Sequence, residues 1–251
     1  MTAPNIQTLH AFTTRFGGVS GGIYASLNLG VNTFGDREHV RENYAIIRKA
    51  LDIPAGRFTC TNQVHGSDIL SVTRADCGEP PVPPPYGADG LITRDPSVAL
   101  TVYAADCVPI LLYDPVQSAI GALHAGWRGT AADIAGEAVR KMALEFGCAP
   151  VDVRAAIGPC ISECCYETGR DVADAITGML GTAAGRCIAP KSGNMKFMVD
   201  LKEANRLLLK RAGVRDITIS DECTSCRCDK YWSHRKTNGL HGSHAALIML
   251  L

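Results

Sequence analysis

Charge of one sign is what this chain lacks most. Its 25 Lys and Arg balance 25 Asp and Glu, so the formal net charge is zero. No global field holds such a chain on nucleic acid or on an anionic membrane, and only a local basic pocket stays open. Aromatic residues make up 6%, which weighs against a base-stacking surface. Long apolar runs are missing too. The longest, Ala245 to Leu251, is far too short to span a bilayer and reads as a buried C-terminal strand. The first residues, Met1-Thr-Ala-Pro-Asn-Ile-Gln7, have no basic stretch followed by an apolar one, so no secretory leader is expected and the location expected is cytoplasmic. Neither nucleic acid nor a membrane is an expected partner. No repeat, coiled coil or charged tail points to a protein partner, and the oligomeric state stays open.

Cysteine, by contrast, is plentiful, with 11 residues. The count is odd, and a chain of 251 residues that is 46% hydrophobic buries enough core to need no staples. Reduced thiols are therefore expected, some of them available for metal binding or catalysis. Cys223-Thr-Ser-Cys226 with Cys228 has the spacing of half a structural zinc site. No second Cys-x-x-Cys pair exists, so the expectation there is a loop of reduced thiols rather than an interaction module.

Hydrophobic patterning organises the rest. Thr8 to Thr14 is strand-like and leads into a glycine-rich stretch, Phe16 to Tyr24. Asp36 can cap a helix with Val40, Tyr44, Ile47 and Leu51 on one face. Pro80 to Tyr86 is proline-rich and must be a surface loop. Val98 to Ala104, Pro109 to Tyr113 and Ala119 to Leu123 are compact apolar runs that read as buried strands. Thr130-Ala-Ala-Asp133 resembles a capping box and predicts a helix ending at Gly147. Val153 to Ile157 and Val214 to Ser220 read as strands, Tyr166 to Leu180 as a helix, and Asp200 begins another helix that ends at Gly213. The pattern predicts an α+β fold in one domain over residues 1–251, with a mixed sheet covered by helices on both faces.

Three segments carry metal-ligand chemistry: Asn62-Gln-Val-His65-Gly66, Ala105-Asp-Cys107-Val-Pro109 and Leu123-His124-Ala-Gly-Trp-Arg-Gly129. Cys107 and His124 each follow a predicted strand, and strand ends are where open sheets collect ligands. Two imidazoles and a thiolate suit zinc, and three protein ligands leave a fourth position for water or substrate. Taken singly, a cysteine is a small core hydrophobe and a histidine a satisfied polar group, so spacing alone leaves both readings open.

The three segments, in this order, resemble the signature of the laccase-domain (YfiH-like) family, first labelled multicopper polyphenol oxidoreductases. The resemblance extends along nearly the whole chain, through Phe12 to Ser20, Ser26 to Gly30, Ala88 to Thr93, Ile157 to Ile161, Cys165-Tyr-Glu167, Asp200-Leu-Lys202, Cys223-Thr224 and Ser233-His-Arg235. It implies an α/β/α three-layer sandwich around a mixed β-sheet, similar to that of some cysteine hydrolases. It also implies that His65, Cys107 and His124 bind one zinc ion, with copper as a substitute. The activities implied are phosphorolysis of adenosine, inosine, guanosine and methylthioadenosine, and hydrolytic deamination of adenosine. Purine nucleosides and phosphate would be the partners. One departure stands out: where the family has a Thr-Gly-Arg-like turn, this chain has His241-Gly242-Ser243 followed by His244, which bears on how phosphate is held.

For phosphorolysis, Arg15 precedes a glycine-rich loop whose N–H groups suit an anion, and Arg128 lies beside His124 just before a predicted helix start. Trp127 is placed to stack a purine or to pack in the core. For deamination, Asp106 and Glu167 are the proton-carrier candidates; the H-x-E and P-C-x-x-C signature of zinc deaminases is absent, because Cys160 is followed by Cys164 and Cys165. Two rival enzymes share these residues. A cytoplasmic hydrolase editing peptidoglycan precursors would use Cys107 as nucleophile and His124 as base. A copper-dependent polyphenol oxidase would need paired His-x-His motifs, and the seven histidines supply none.

Overall fold

The structure is a computed structural model that describes residues 1–32, 36–191 and 195–251. The first strands in chain order are β1 (Leu9–Phe12), β2 (Phe58–Cys60), β3 (Ile69–Ser71), β4 (Gly90–Thr93) and β5 (Ala99–Ala104). They are followed by β6 (Val108–Asp114), β7 (Ala119–Ala125), β8 (Arg154–Ile157) and β9 (Glu167–Thr168). The last are β10 (Ile188–Lys191), β11 (Lys196–Val199), β12 (Asp216–Ile219) and β13 (His244–Met249). The helices are α1 (Arg37–Ala50), α2 (Trp127–Ala131), α3 (Ile134–Phe146), α4 (Arg170–Leu180) and α5 (Leu201–Arg211).

The strands divide into a mixed six-stranded sheet, β12-β8-β6-β7-β4-β3, a mixed four-stranded sheet, β1-β13-β5-β2, and a small antiparallel sheet, β10-β11-β9. Side chains alternate across a strand, and here both faces are covered. Val108, Ile110 and Leu112 of β6 point to a core shared with α3, α4 and α5. Leu111 points the other way, where it meets Leu100 and Val102 of β5 and Ala246 and Ile248 of β13. The opposite face of β5 and β13 packs Tyr103, Ala245 and Leu247 against Tyr44 and Ile47 of α1. The α, β, α succession is therefore present, with a central β layer made of two stacked sheets. Burial on both faces explains why these strands read as unbroken apolar runs.

Two local expectations change. The helix at Thr130 does not start there: the chain is already helical from Trp127 to Ala131, breaks at Asp133, and restarts. Asp133 takes a left-handed backbone (φ 58°) and its carboxylate accepts the Gly136 N–H at 3.2 Å. The Thr130 hydroxyl, buried, instead accepts from the Asn205 side chain at 2.9 Å. The segment from Tyr166 is not helical at its start, because Glu167 and Thr168 pair with β11 and the helix begins only at Arg170. At the other ends the local chemistry holds: Gly147 closes α3 with φ 73°, and the Asp200 carboxylate caps α5 by accepting the Glu203 N–H at 3.0 Å. Among the described residues, no helix is long and apolar enough to cross a membrane.

Candidate metal centre

The site lies where the chain passes between the two large sheets. β5 ends at Ala104 in one sheet and β6 begins at Val108 in the other, so Ala105-Asp106-Cys107 forms the crossing. Asp106 has φ 89° there. Its carboxylate fixes the turn from both sides, accepting the Thr224 hydroxyl at 2.6 Å and the Arg235 N–H at 2.6 Å. His124 lies inside β7 near its end, opposite Pro109, rather than beyond the strand. His65 sits in the loop between β2 and β3 with φ 61°.

One fully buried carboxylate organises two of these elements. Asp89 accepts the N–H groups of Val64, His65 and Gly66 at 3.1, 3.0 and 2.7 Å. It also accepts Nδ1–H of His124 at 2.7 Å. A carboxylate only accepts, so this bond places the proton on Nδ1 and leaves Nε2 of His124 free to ligate. Burial opposes the Asp89 charge, but the hydrogen bonds from His124, Gly66 and Val64 outweigh it and hold the carboxyl below its ordinary range.

The ligand atoms of His65, Cys107 and His124 lie within 4.8 Å of one another. Cys107 Sγ is 3.9 Å from His65 Nδ1, close to the ~3.6 Å edge of a tetrahedral site with metal–sulfur and metal–nitrogen bonds of about 2.3 and 2.0 Å. Gly126 makes room for this grouping: a Cβ there would stand 2.8 Å from His65 Nδ1 and 3.3 Å from Cys107 Sγ. Donor set, spacing, tautomer and clearance all fit a single ion. Without metal, burial pushes the Cys107 thiol up, yet the charged His124 and hydrogen bonds from His124 and His65 bring it down to about 6. Burial likewise lowers His124, while the Cys107 thiolate and Asp89 raise it to about 9.

The three residues line a cavity of about 650 Å³, within the usual range for small-ligand sites. Trp127, Arg128, Tyr166 and Arg235 stand on its wall. The Arg128 guanidinium lies 4.2 Å over the Trp127 ring and is exposed, with no carboxylate paired to it among the described residues. Arg235 donates to the Glu167 carbonyl at 2.9 Å. His234 and His241 face the same space, linked by a 3.0 Å hydrogen bond. His241 thus occupies the wall at the departure noted in the sequence. His244 does not: it is buried in β13, and burial holds its imidazole neutral, down to about 3.

Arg15 is not brought to the site. Its guanidinium donates to the Ala25 carbonyl at 2.9 Å and the Cys228 carbonyl at 2.8 Å, and it stacks 4.0 Å over Trp232. These bonds tie the glycine-rich loop to the segment before β13, and Arg15 is not among the residues that line the cavity. The Glu167 side chain pairs with Lys191 at the surface and does not line the cavity. Asp106 does line it, with both oxygens engaged as described. Asp89 is a site residue with no ligand spacing to mark it in the sequence; the one local signal is an acidic residue beside the apolar run of Ala88 to Thr93.

Residues 9–251 match the family model described as multi-copper polyphenol oxidoreductase laccase. The chain is 40% identical over 253 residues to purine nucleoside phosphorylase YlmD of Geobacillus stearothermophilus, covering 98% of this chain and 91% of that protein. It is 39% identical over 250 residues to a purine nucleoside phosphorylase of Deinococcus radiodurans, covering 100% of this chain and 92% of that one. The crystal structure of YlmD from Geobacillus stearothermophilus superposes with a TM-score of 0.93 at 39% identity, covering 99% of this chain and 94% of that chain. By sequence and by fold alike, the chain belongs to the multi-copper polyphenol oxidoreductase laccase family.

Proposed function

We propose that this chain is a zinc-dependent purine nucleoside phosphorylase acting on adenosine, inosine, guanosine and methylthioadenosine, with hydrolytic deamination of adenosine as a second activity. The observation that carries the reading is the Arg128 guanidinium, with no carboxylate paired to it among the described residues, on the wall of the cavity into which His65, Cys107 and His124 converge. The names of the relatives from Geobacillus and Deinococcus support the same reaction class.

In phosphorolysis a phosphate oxygen forms its bond to C1′ of the ribose as the bond from C1′ to the purine nitrogen breaks. The electron pair leaves with the purine nitrogen, which takes up the proton that the hydrogen phosphate dianion gives up on becoming ribose 1-phosphate. Arg128, with Arg235 on the wall of the same cavity, holds the phosphate dianion. Trp127 and Tyr166 give the purine an aromatic wall. Zinc, when bound by His65, Cys107 and His124, supplies a Lewis acid beside the reacting atoms. Asp89 keeps His124 in the ligating tautomer, and Asp106 keeps Cys107 in place. In deamination, water adds to C6 of adenine and ammonia departs. The proton between them needs a titratable group in the cavity, where Asp106, His234 and His241 stand.

A second reading has one specific observation in its favour. Asp89, His124 and Cys107 form the orienting acid, base and thiol series of a cysteine hydrolase. A thiolate committed to zinc is a poor nucleophile, so the two readings exclude each other in one molecule at one time. The test is the product formed from inosine by zinc-loaded protein. Ribose 1-phosphate and hypoxanthine, formed only with phosphate present, support the phosphorylase. No turnover of any nucleoside by zinc-loaded protein sinks it and moves the search to peptidoglycan precursors.

A further inference from the structure

Four further sulfurs meet outside the cavity. β8 and β12 are parallel neighbours, paired at Ile157 and Ile219, so the loops that follow them leave the sheet side by side. A bridge between Cys160 and Cys223 continues that pairing past the strand ends. Cys164 and Cys165 come from the first loop, Cys223 and Cys226 from the second. Their sulfurs all lie within 4.8 Å of one another. Cys164 is 3.8 Å from Cys165 and 3.6 Å from Cys226, and Cys165 is 3.4 Å from Cys226.

These spacings decide between a disulfide and a metal. All four thiols are free, and the distances are far from the ~2.05 Å of a sulfur–sulfur bond. At 3.4 to 3.8 Å they lie at or slightly below the ~3.8 Å edge of a tetrahedron whose centre is about 2.3 Å from each sulfur. Cys226 is nearly equidistant from Cys164 and Cys165, as a shared centre requires and a pairwise bond does not. The Cys223 sulfur also accepts the Ser162 N–H at 3.4 Å. Such a donor stabilises a thiolate ligand. The adjacent pair Cys164-Cys165 thus supplies the second half-site that no further Cys-x-x-Cys pair offers, and Cys228 is not in the group.

We propose that Cys164, Cys165, Cys223 and Cys226 bind a second zinc ion as a closed tetrathiolate site. Four thiol protons are released to solvent on binding and no coordination position is left for substrate, so the ion is structural. It clamps the two loops that wall the cavity. Ile161 and Tyr166 of the first loop line it, Thr224 of the second holds Asp106, and Arg235 reaches the Glu167 carbonyl.

The experiment is zinc content per chain on dialysed, reduced protein, beside Cys107→Ala, Cys226→Ser and the double variant. The expected contents are two ions for the parent, one for each single variant and none for the double. Cys164→Ser, altering an exposed sulfur, replaces Cys226→Ser should that variant fail to fold. Cobalt in place of zinc gives a second readout. The thiolate-to-cobalt absorption per ion should be several-fold stronger in Cys107→Ala, with four thiolates, than in Cys226→Ser, with one. A Cys107→Ala protein without firmly held zinc overturns the proposal. So does a full-occupancy disulfide from Cys226 to Cys164 or Cys165 in protein kept from oxidants.

Discussion

The Asp89 carboxylate holds His124 through a 2.7 Å bond to Nδ1 while accepting the backbone N–H of His65 at 3.0 Å with the same oxygen. One buried acid therefore aims two ligands at one point. Asp89→Asn keeps the shape but puts an amide donor among four donors, so at least one buried contact is lost. Zinc affinity at His65, Cys107 and His124 should fall about 10- to 100-fold. Zinc titration of the metal-free variant measures this, and excess zinc should restore part of the activity.

Gly126→Ala places a methyl group 2.8 Å from His65 Nδ1. His65 must shift, and the ligand set opens. The expected outcome is loss of zinc from this site with the circular dichroism spectrum unchanged. A variant that retains zinc with parental affinity would show that the grouping tolerates a wider geometry.

The central strands were legible in the sequence because β5, β6 and β7 are buried on both faces, which leaves compact, mostly apolar runs at positions 98–104, 109–113 and 119–123. β3 and β9 to β11 were not, being short and half-exposed. His65, Cys107 and His124 stood out through ligand chemistry and through the family resemblance. Asp89 did not, because its role is set by His65, 24 residues away, and by His124, 35 away; no local spacing encodes that. Arg15 looked like an anion ligand because a glycine-rich loop follows it, but its partners, the carbonyls of Ala25 and Cys228, become neighbours only on folding.

The two arginines should separate cleanly. Arg128→Ala removes a charged hydrogen-bond donor worth about 2 kcal/mol, so KM for phosphate should rise roughly 30-fold with zinc content unchanged. Arg15→Ala should leave KM for phosphate alone. It removes the two carbonyl contacts and the stack on Trp232, costing about 2 kcal/mol and lowering Tm by roughly 4–8 °C. Steady-state kinetics and thermal melts on the same preparations check both.

In metal-free protein Cys107 ionises near about 6 beside a His124 raised to about 9. Burial opposes both charges, and each charge sustains the other. The thiolate fraction therefore grows as pH rises through about 6, well below the ordinary thiol range. Alkylation of Cys107 by iodoacetamide, followed by peptide mass mapping, should rise over that range. Saturating zinc should suppress it at every pH. A midpoint near the ordinary thiol value would remove the thiolate–imidazolium pair.

The most direct measurement is hypoxanthine release from inosine, with and without phosphate, by protein stripped of metal and then reloaded with zinc, beside Cys107→Ala. Release should require both phosphate and zinc, be lost on stripping, return on reloading, and be absent from Cys107→Ala at any zinc concentration. Phosphate-dependent release that persists in stripped protein, or in Cys107→Ala, would rule out a zinc-dependent phosphorylase at His65, Cys107 and His124.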